Sequence, residues 1–260
     1  MFQIGNIHTA LAASLAAGLF PLVALADDPA PPPPQGVWVG KGQLGFLASQ
    51  GNTEASSANA AIDMGMLDDP WEHKFHLGGL YGKSAGVVAA ERWDTSWQSN
   101  YDVTPDFFGF GGLRYQHDLF SGFQYQASET AGAGYKIINS PDTKLSAQLG
   151  AGYRELRPED QTTEPDGSTV RTLLPTDNSV VFTAGLDYSQ AFTKTTTLTN
   201  KLLVEAGSDD TLISDALALT VKMSTRLALS IGYSLQDNTK PPDGLKKIDS
   251  VETVNLVFAF

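Results

Sequence analysis

Few stretches of this chain carry the side chains that chemistry needs. His117, Asp118 and Ser121 form the one cluster that combines a base, a carboxylate and a hydroxyl. In the nucleophile, base and orienter logic of acyl transfer they would make a hydrolase acting at a rim on phospholipid or peptide. Neighbours in sequence are not a triad, however, and polar residues are ordinary in a loop, so a solvated loop is the stronger reading. His73 and His76, with Ser84 and Ser96, offer less. Asp209, Asp210 and Asp215 gather hard oxygens of the kind that take Ca2+ or Mg2+, as do Glu159, Asp160, Glu164 and Asp166. Neither group has the EF-hand spacing with its central glycine and terminal glutamate. The pairs Gly132/Gly134 and Gly150/Gly152 are followed by no helix and are not phosphate loops; inward glycines leave room for other side chains. The absence of cysteine removes thiol nucleophiles and thiolate metal sites. These residues point to no catalytic, cofactor or metal site, with the rim hydrolase as the alternative. A formal net charge of −12 argues against nucleic acid as a partner.

Any such residues would have to be positioned by strands. From Trp38 onward about ten residues of apolar and polar alternation are followed by a turn, about twelve times over. The first strands read Trp38–Ser49, Ala55–Leu67, Trp71–Lys83, Glu91–Val103, Phe107–His117 and Tyr125–Ile138. The second half reads Lys144–Arg154, Asn178–Phe192, Thr197–Ser208, Thr211–Met223, Leu227–Gln236 and Asp249–Phe260. No helical period appears, and beyond Ala26 no run approaches the roughly 18–20 apolar residues of a membrane helix. Connections alternate in length. They are tight at Asp68–Pro70, Thr104–Asp106, Asn139–Thr143, Thr193–Thr196 and Ser224–Arg226. They are longer at Ala85–Ala90, Asp118–Gln124, Glu155–Asp177 and Asp237–Ile248. Short turns at one end and long loops at the other is the asymmetry of outer-membrane barrels. The expected fold is all-β, a transmembrane antiparallel up-and-down β-barrel of about twelve strands.

Alternation alone does not choose between a soluble and a membrane barrel, because either could bury the apolar face. Width and aromatic placement do. Eight strands already close around a filled interior, and twelve enclose more space. Trp38, Trp71, Tyr101, Phe107, Tyr135, Tyr188, Phe192 and Phe260 fall near the short turns, and Tyr81, Trp93, Tyr115, Tyr153 and Tyr233 near the loops. Two such girdles place amphipathic rings at lipid headgroups.

The ends of the chain carry an address. Residues 1–26 hold no Lys, Arg, Asp or Glu and close on Ala24-Leu25-Ala26, which reads as a secretory signal peptide cut after Ala26. Its first nine residues lack the usual basic side chain. Residues 27–36 are a proline-rich, extended periplasmic leader, and 37–260 the barrel. The last strand sets Val254, Leu256, Phe258 and Phe260 on one face. An alternating strand ending in Phe resembles the signal read by the barrel assembly machinery, with Phe258 and Phe260 as the signal residues. The expected location is the cell outer membrane, among lipid and lipopolysaccharide.

By the same parity the lumen receives Lys41, Lys74, Arg92, Arg114, Lys136, Lys144, Arg154, Lys201 and Lys222, against Asp63, Glu72, Asp94, Asp102, Asp187 and Glu205. The excess is about three positive charges. Such charges can pair and narrow the bore, or line a path for a small solute or ion.

Several short motifs occur in a fixed order. Phe-Leu-Ala-Ser-Gln-Gly-Asn-Thr-Glu-Ala-Ser-Ser runs from Phe46 to Ser57, and Leu113-Arg114-Tyr115-Gln116-His117-Asp118 precedes Phe120-Ser121-Gly122. Gly132-Ala133-Gly134-Tyr135, Gly150-Ala151-Gly152-Tyr153-Arg154, Glu205-Ala206-Gly207-Ser208 and the Val257-Phe258-Ala259-Phe260 end follow. In this order the chain resembles the salt-induced outer-membrane protein family, YdiY-like, known as domain of unknown function 481. The resemblance implies an outer-membrane barrel linked to envelope or salt stress and transfers no catalytic residue.

Overall fold

The computed structural model describes residues 35–49, 55–119, 121–163, 169–208, 210–242 and 245–260. The expected signal peptide, and the leader up to Gln35, lie outside the described residues. The strands are β1 (Trp38–Ser49), β2 (Ala55–Asp68), β3 (Trp71–Ser84), β4 (Val87–Asp102), β5 (Phe107–Asp118), β6 (Phe123–Asn139) and β7 (Thr143–Thr163). Then come β8 (Thr169–Leu173), β9 (Asp177–Ala191), β10 (Thr196–Ala206), β11 (Thr211–Lys222), β12 (Leu227–Asn238) and β13 (Ile248–Ala259). Every strand except β8 joins a closed, twelve-stranded antiparallel barrel in which chain neighbours pair and β13 returns to β1.

Two connections differ from the sequence expectation. Glu155–Asp177 is not an irregular loop: β7 continues to Thr163 and pairs with β8 from Glu159↔Leu173 to Thr163↔Thr169, forming a hairpin beyond the wall. Its paired runs are rich in Thr, whose branched side chain favours extended backbone even among polar residues. Ala85–Ala90 is also shorter than expected, because β4 starts at Val87. Ala85 (φ 50°) and Gly86 (φ 79°) both have positive φ, as a two-residue hairpin turn whose twist matches the flanking strands requires.

Register fixes which side chains face out. Leu44, Phe46, Leu113, Leu149, Val180, Phe182, Ile231 and Val254 stand exposed on the outer wall. Trp71 and Tyr101 meet edge to face at 5.0 Å near the short turns, and Trp93 stacks on Tyr115 at 5.0 Å near the loops. So large an apolar exterior is stable in hydrocarbon rather than water, and the ring closes by pairing β1 with β13 over part of their length.

The buried side chains lie inside the ring. Phe108 and Phe110 are 4% and 7% exposed and point inward from β5, toward glycines of β6 and β7. A Cβ on Gly134 would lie 2.2 Å from the Phe108 ring, so glycine is what admits that ring. The β1–β13 join is short, with register pairs from Lys41↔Ala259 to Leu44↔Leu256 and reciprocal 2.9 Å bonds between Gly40 and Phe260. By contrast β12 and β13 pair from Leu227↔Phe258 to Asp237↔Ile248.

Candidate functional site

The lumen is the place where polar side chains converge. Near the short turns, Lys74 Nζ lies 3.2 Å from Glu72 and Lys136 Nζ donates to Asp102 at 2.6 Å. Asn100 donates to Glu72 at 2.9 Å. Glu72, Lys74, Asp102 and Lys136, with Gln35, Trp71 and Lys144, line a vestibule of about 530 Å3. Gln35 is held there by accepting a 3.0 Å bond from the Asp69 N–H.

At mid-height a chamber of about 450 Å3 is lined by Lys41, Asp63, His76, Gln98, Lys201 and Glu205 among others. His76 projects between β2 and β4, with Nδ1 2.7 Å from Asp63 and Nε2 3.1 Å from Asp94. Carboxylates take both ring nitrogens, so neither is free to serve as a general base. Asp94 also faces Arg92 at 3.7 Å, and Asp63 faces Lys41 at 3.7 Å.

Above the chamber the walls touch. Arg114 on β5 donates to Glu205 on β10 at 2.9 Å, and Ser128 on β6 donates to the other Glu205 oxygen at 2.9 Å. The Glu205 side chain is 3% exposed, and charge-assisted bonds from two walls offset its desolvation. One layer higher, Gln116 on β5 and Gln236 on β12 exchange amide bonds at 3.2 and 3.4 Å. β5 and β12 lie opposite each other in the strand order, so this pair spans the bore. Beyond it is a smaller space of about 210 Å3, lined by Arg92, Gln236 and Asp249.

Several of the expected lumen charges pair along one strand, as Lys74 with Glu72 and Arg92 with Asp94, or across the bore, as Arg114 with Glu205. Arg154, 1% exposed, pairs with Asp210 of the β10–β11 loop, while Glu205 takes Arg114. Lys201 faces the central chamber. The alternative rim cluster is not assembled. His117 faces outward and donates through Nδ1 to the Gln124 carbonyl, while Asp118, the next residue, lies on the opposite face. Ser121 Oγ bonds the Asp118 carbonyl at 2.8 Å, not its carboxylate. Asp215 points outward from β11 and accepts a 2.7 Å bond from Asn200. Asp209, Glu164 and Asp166 lie outside the described residues, among which no cluster of His, Asp and Glu is placed to hold a metal. Phe258 and Phe260 are exposed at the short-turn end.

Sequence reading missed the amides, namely Gln98 with Gln148 at 3.1 Å, Gln116 with Gln236, and Asn59 with Asn255 at 2.8 Å. Their inward parity was the available signal, since neutral amides on the charged face of a strand have the lumen as their surroundings.

A closed, twelve-stranded barrel with an apolar exterior and a polar, partly bridged interior defines the class as a membrane-type β-barrel. The chain belongs to the protein family of unknown function DUF481, whose model matches residues 42–260. It is 25% identical to the uncharacterized protein YdiY of Escherichia coli (strain K12), over 88% of each chain. Among solved structures it is similar to the translocator domain of the autotransporter NalP from Neisseria meningitidis. That likeness has a TM-score of 0.46 and 17% identity, covering 86% of this chain and 87% of the other. It is also similar to an outer-membrane channel from Pseudomonas putida F1, with a TM-score of 0.48, 11% identity, and coverage of 87% and 96%.

Proposed function

We propose that the protein is a non-enzymatic barrel of the bacterial outer membrane whose lumen is a narrow path for small ions, held almost shut by side chains. The observation that carries this reading is the reciprocal Gln116–Gln236 pair joining opposite walls above the Arg114–Glu205 bridge. Amide and ionic bridges leave chambers instead of a continuous wide bore, and their loosening sets what passes. A link to salt conditions belongs to the same proposal. The Arg92–Asp94 contact, at 3.7 Å and part-exposed, is of the kind that mobile ions screen.

Single-channel recording in planar bilayers tests it. The native protein is expected to show a small conductance that rises more steeply with salt than the bulk electrolyte. Gln116→Ala combined with Gln236→Ala should raise it several-fold, and Arg92→Gln should shift ion preference toward cations. A large native conductance indifferent to these changes would sink the narrow-path reading.

A further inference from the structure

The outer wall carries a feature that a purely lipid-facing surface has no use for. Strand register places Phe75, Trp97, Leu113, Glu129 and Tyr153 in one row across β3 to β7, all pointing outward. Glu129 is exposed in the middle of that row, and among the described residues none donates a bond to it. A bare carboxylate against hydrocarbon is costly, and ionisable groups at such depth mark sites with a partner.

The surroundings define the partner's chemistry. The row above runs Leu77, Thr95, Tyr115, Ala127 and Glu155. Ala127 and Thr95 are short, so the wall is dished between the taller Trp97, Tyr115 and Tyr153, leaving a cavity of about 510 Å3. That is within the roughly 300–1,000 Å3 of small-molecule pockets. Tyr115 is held upright by stacking on Trp93 and on Tyr125, and Phe75 lies 6.3 Å from Trp97. Glu155 closes the upper edge and accepts a 2.5 Å bond from the Tyr125 hydroxyl. Aromatic faces beside a carboxylate attract an organic cation, by ring quadrupole and by charge. A basic side chain from a second copy fits less well, because the outward cations Lys83 and Arg157 lie at the loop end rather than at this height.

We infer that this cavity binds an amphiphilic organic ammonium ion that enters from the bilayer. Its head pairs with Glu129 beside the neighbouring Tyr153 ring, and its alkyl tail stays among the lipid chains. The inference rests on the barrel standing in a membrane.

The test uses the full mature protein in phosphatidylcholine nanodiscs, with its folded state checked by heat-modifiable gel mobility. The probe is a nitroxide-labelled dodecyltrimethylammonium ion, read by quenching of tryptophan fluorescence. Saturable quenching is expected, weakened about tenfold or more by Glu129→Gln and unchanged by Glu91→Gln. Equal binding by the Glu129→Gln protein, or by an uncharged dodecyl alcohol carrying the same nitroxide, would overturn the inference. So would disulfide cross-linking of Ala127→Cys copies, which keep Glu129, that the probe does not prevent, since the cavity would then be a contact between chains. A barrel that fails to fold or insert would count against the membrane reading itself, whereas a folded, inserted barrel without binding would count against this site alone.

Discussion

Glu205 shows at the scale of one residue how this interior is held. It is nearly inaccessible, yet accepts from Arg114 and Ser128 on strands that are not its neighbours. Its inward direction is legible in the sequence, since Glu205 alternates with Leu202-type outward positions on β10. Its choice of Arg114 over Arg154 is not, because distance across a lumen depends on the tilt and stagger of the whole ring. Lys74 with Glu72 was easier to foresee, two residues apart on one strand face. Gly134 makes the complementary case of a residue defined by what it lacks. Gly134→Val would drive a side chain into the buried Phe108 ring and should cost about 1–3 kcal/mol. Urea unfolding followed by gel mobility measures this, and Phe108→Ala in the same chain should recover part of the loss. No loss on the single change would show that the ring does not depend on that glycine.

Elements were legible where alternation was strict, as in β12, whose outward Leu227, Leu229, Ile231, Tyr233 and Leu235 follow the sequence without exception. They were least legible where composition misleads. Residues 159–173 read as loop because they are polar, but a strand that projects beyond the wall needs no apolar face. Ala85-Gly86 read as part of a longer loop, because small residues hide how sharply the backbone turns there. The last strand joins both kinds of information. The Phe260 ring lies within 2.8 Å of where a Cβ on Gly40 would stand, so it covers β1 as well as ending the greasy face of β13. Phe260→Ala is expected to lower the fraction of barrel that migrates as the folded, heat-modifiable form in isolated outer membranes. Unchanged yield would remove Phe260 from the assembly signal.

At the scale of the whole molecule, large apolar side chains are turned outward and the buried interior is as much polar as apolar, unlike a water-soluble domain. One consequence concerns how such a wall comes apart. Most of the ring is laced by long ladders, but the join between the first strand and the last is fastened only from Gly40 to Leu44. Beyond Leu44, the facing backbone groups of β1 and β13 are left out of that ladder, and the ties are side-chain bonds of Asn255, which donates to Gln43 of β1 at 3.5 Å and accepts from Asn59 of β2 at 2.8 Å past Gly45. Amide hydrogen exchange should therefore be fastest in Phe46–Ser49 among the wall strands, and slowest between β6 and β7, whose pairing runs from Phe123↔Pro158 to Asn139↔Lys144. Uniform protection around the ring would contradict this. If the gradient is found, the barrel behaves as a zipped sleeve with one fixed starting point for its opening, set where the first and last strands meet.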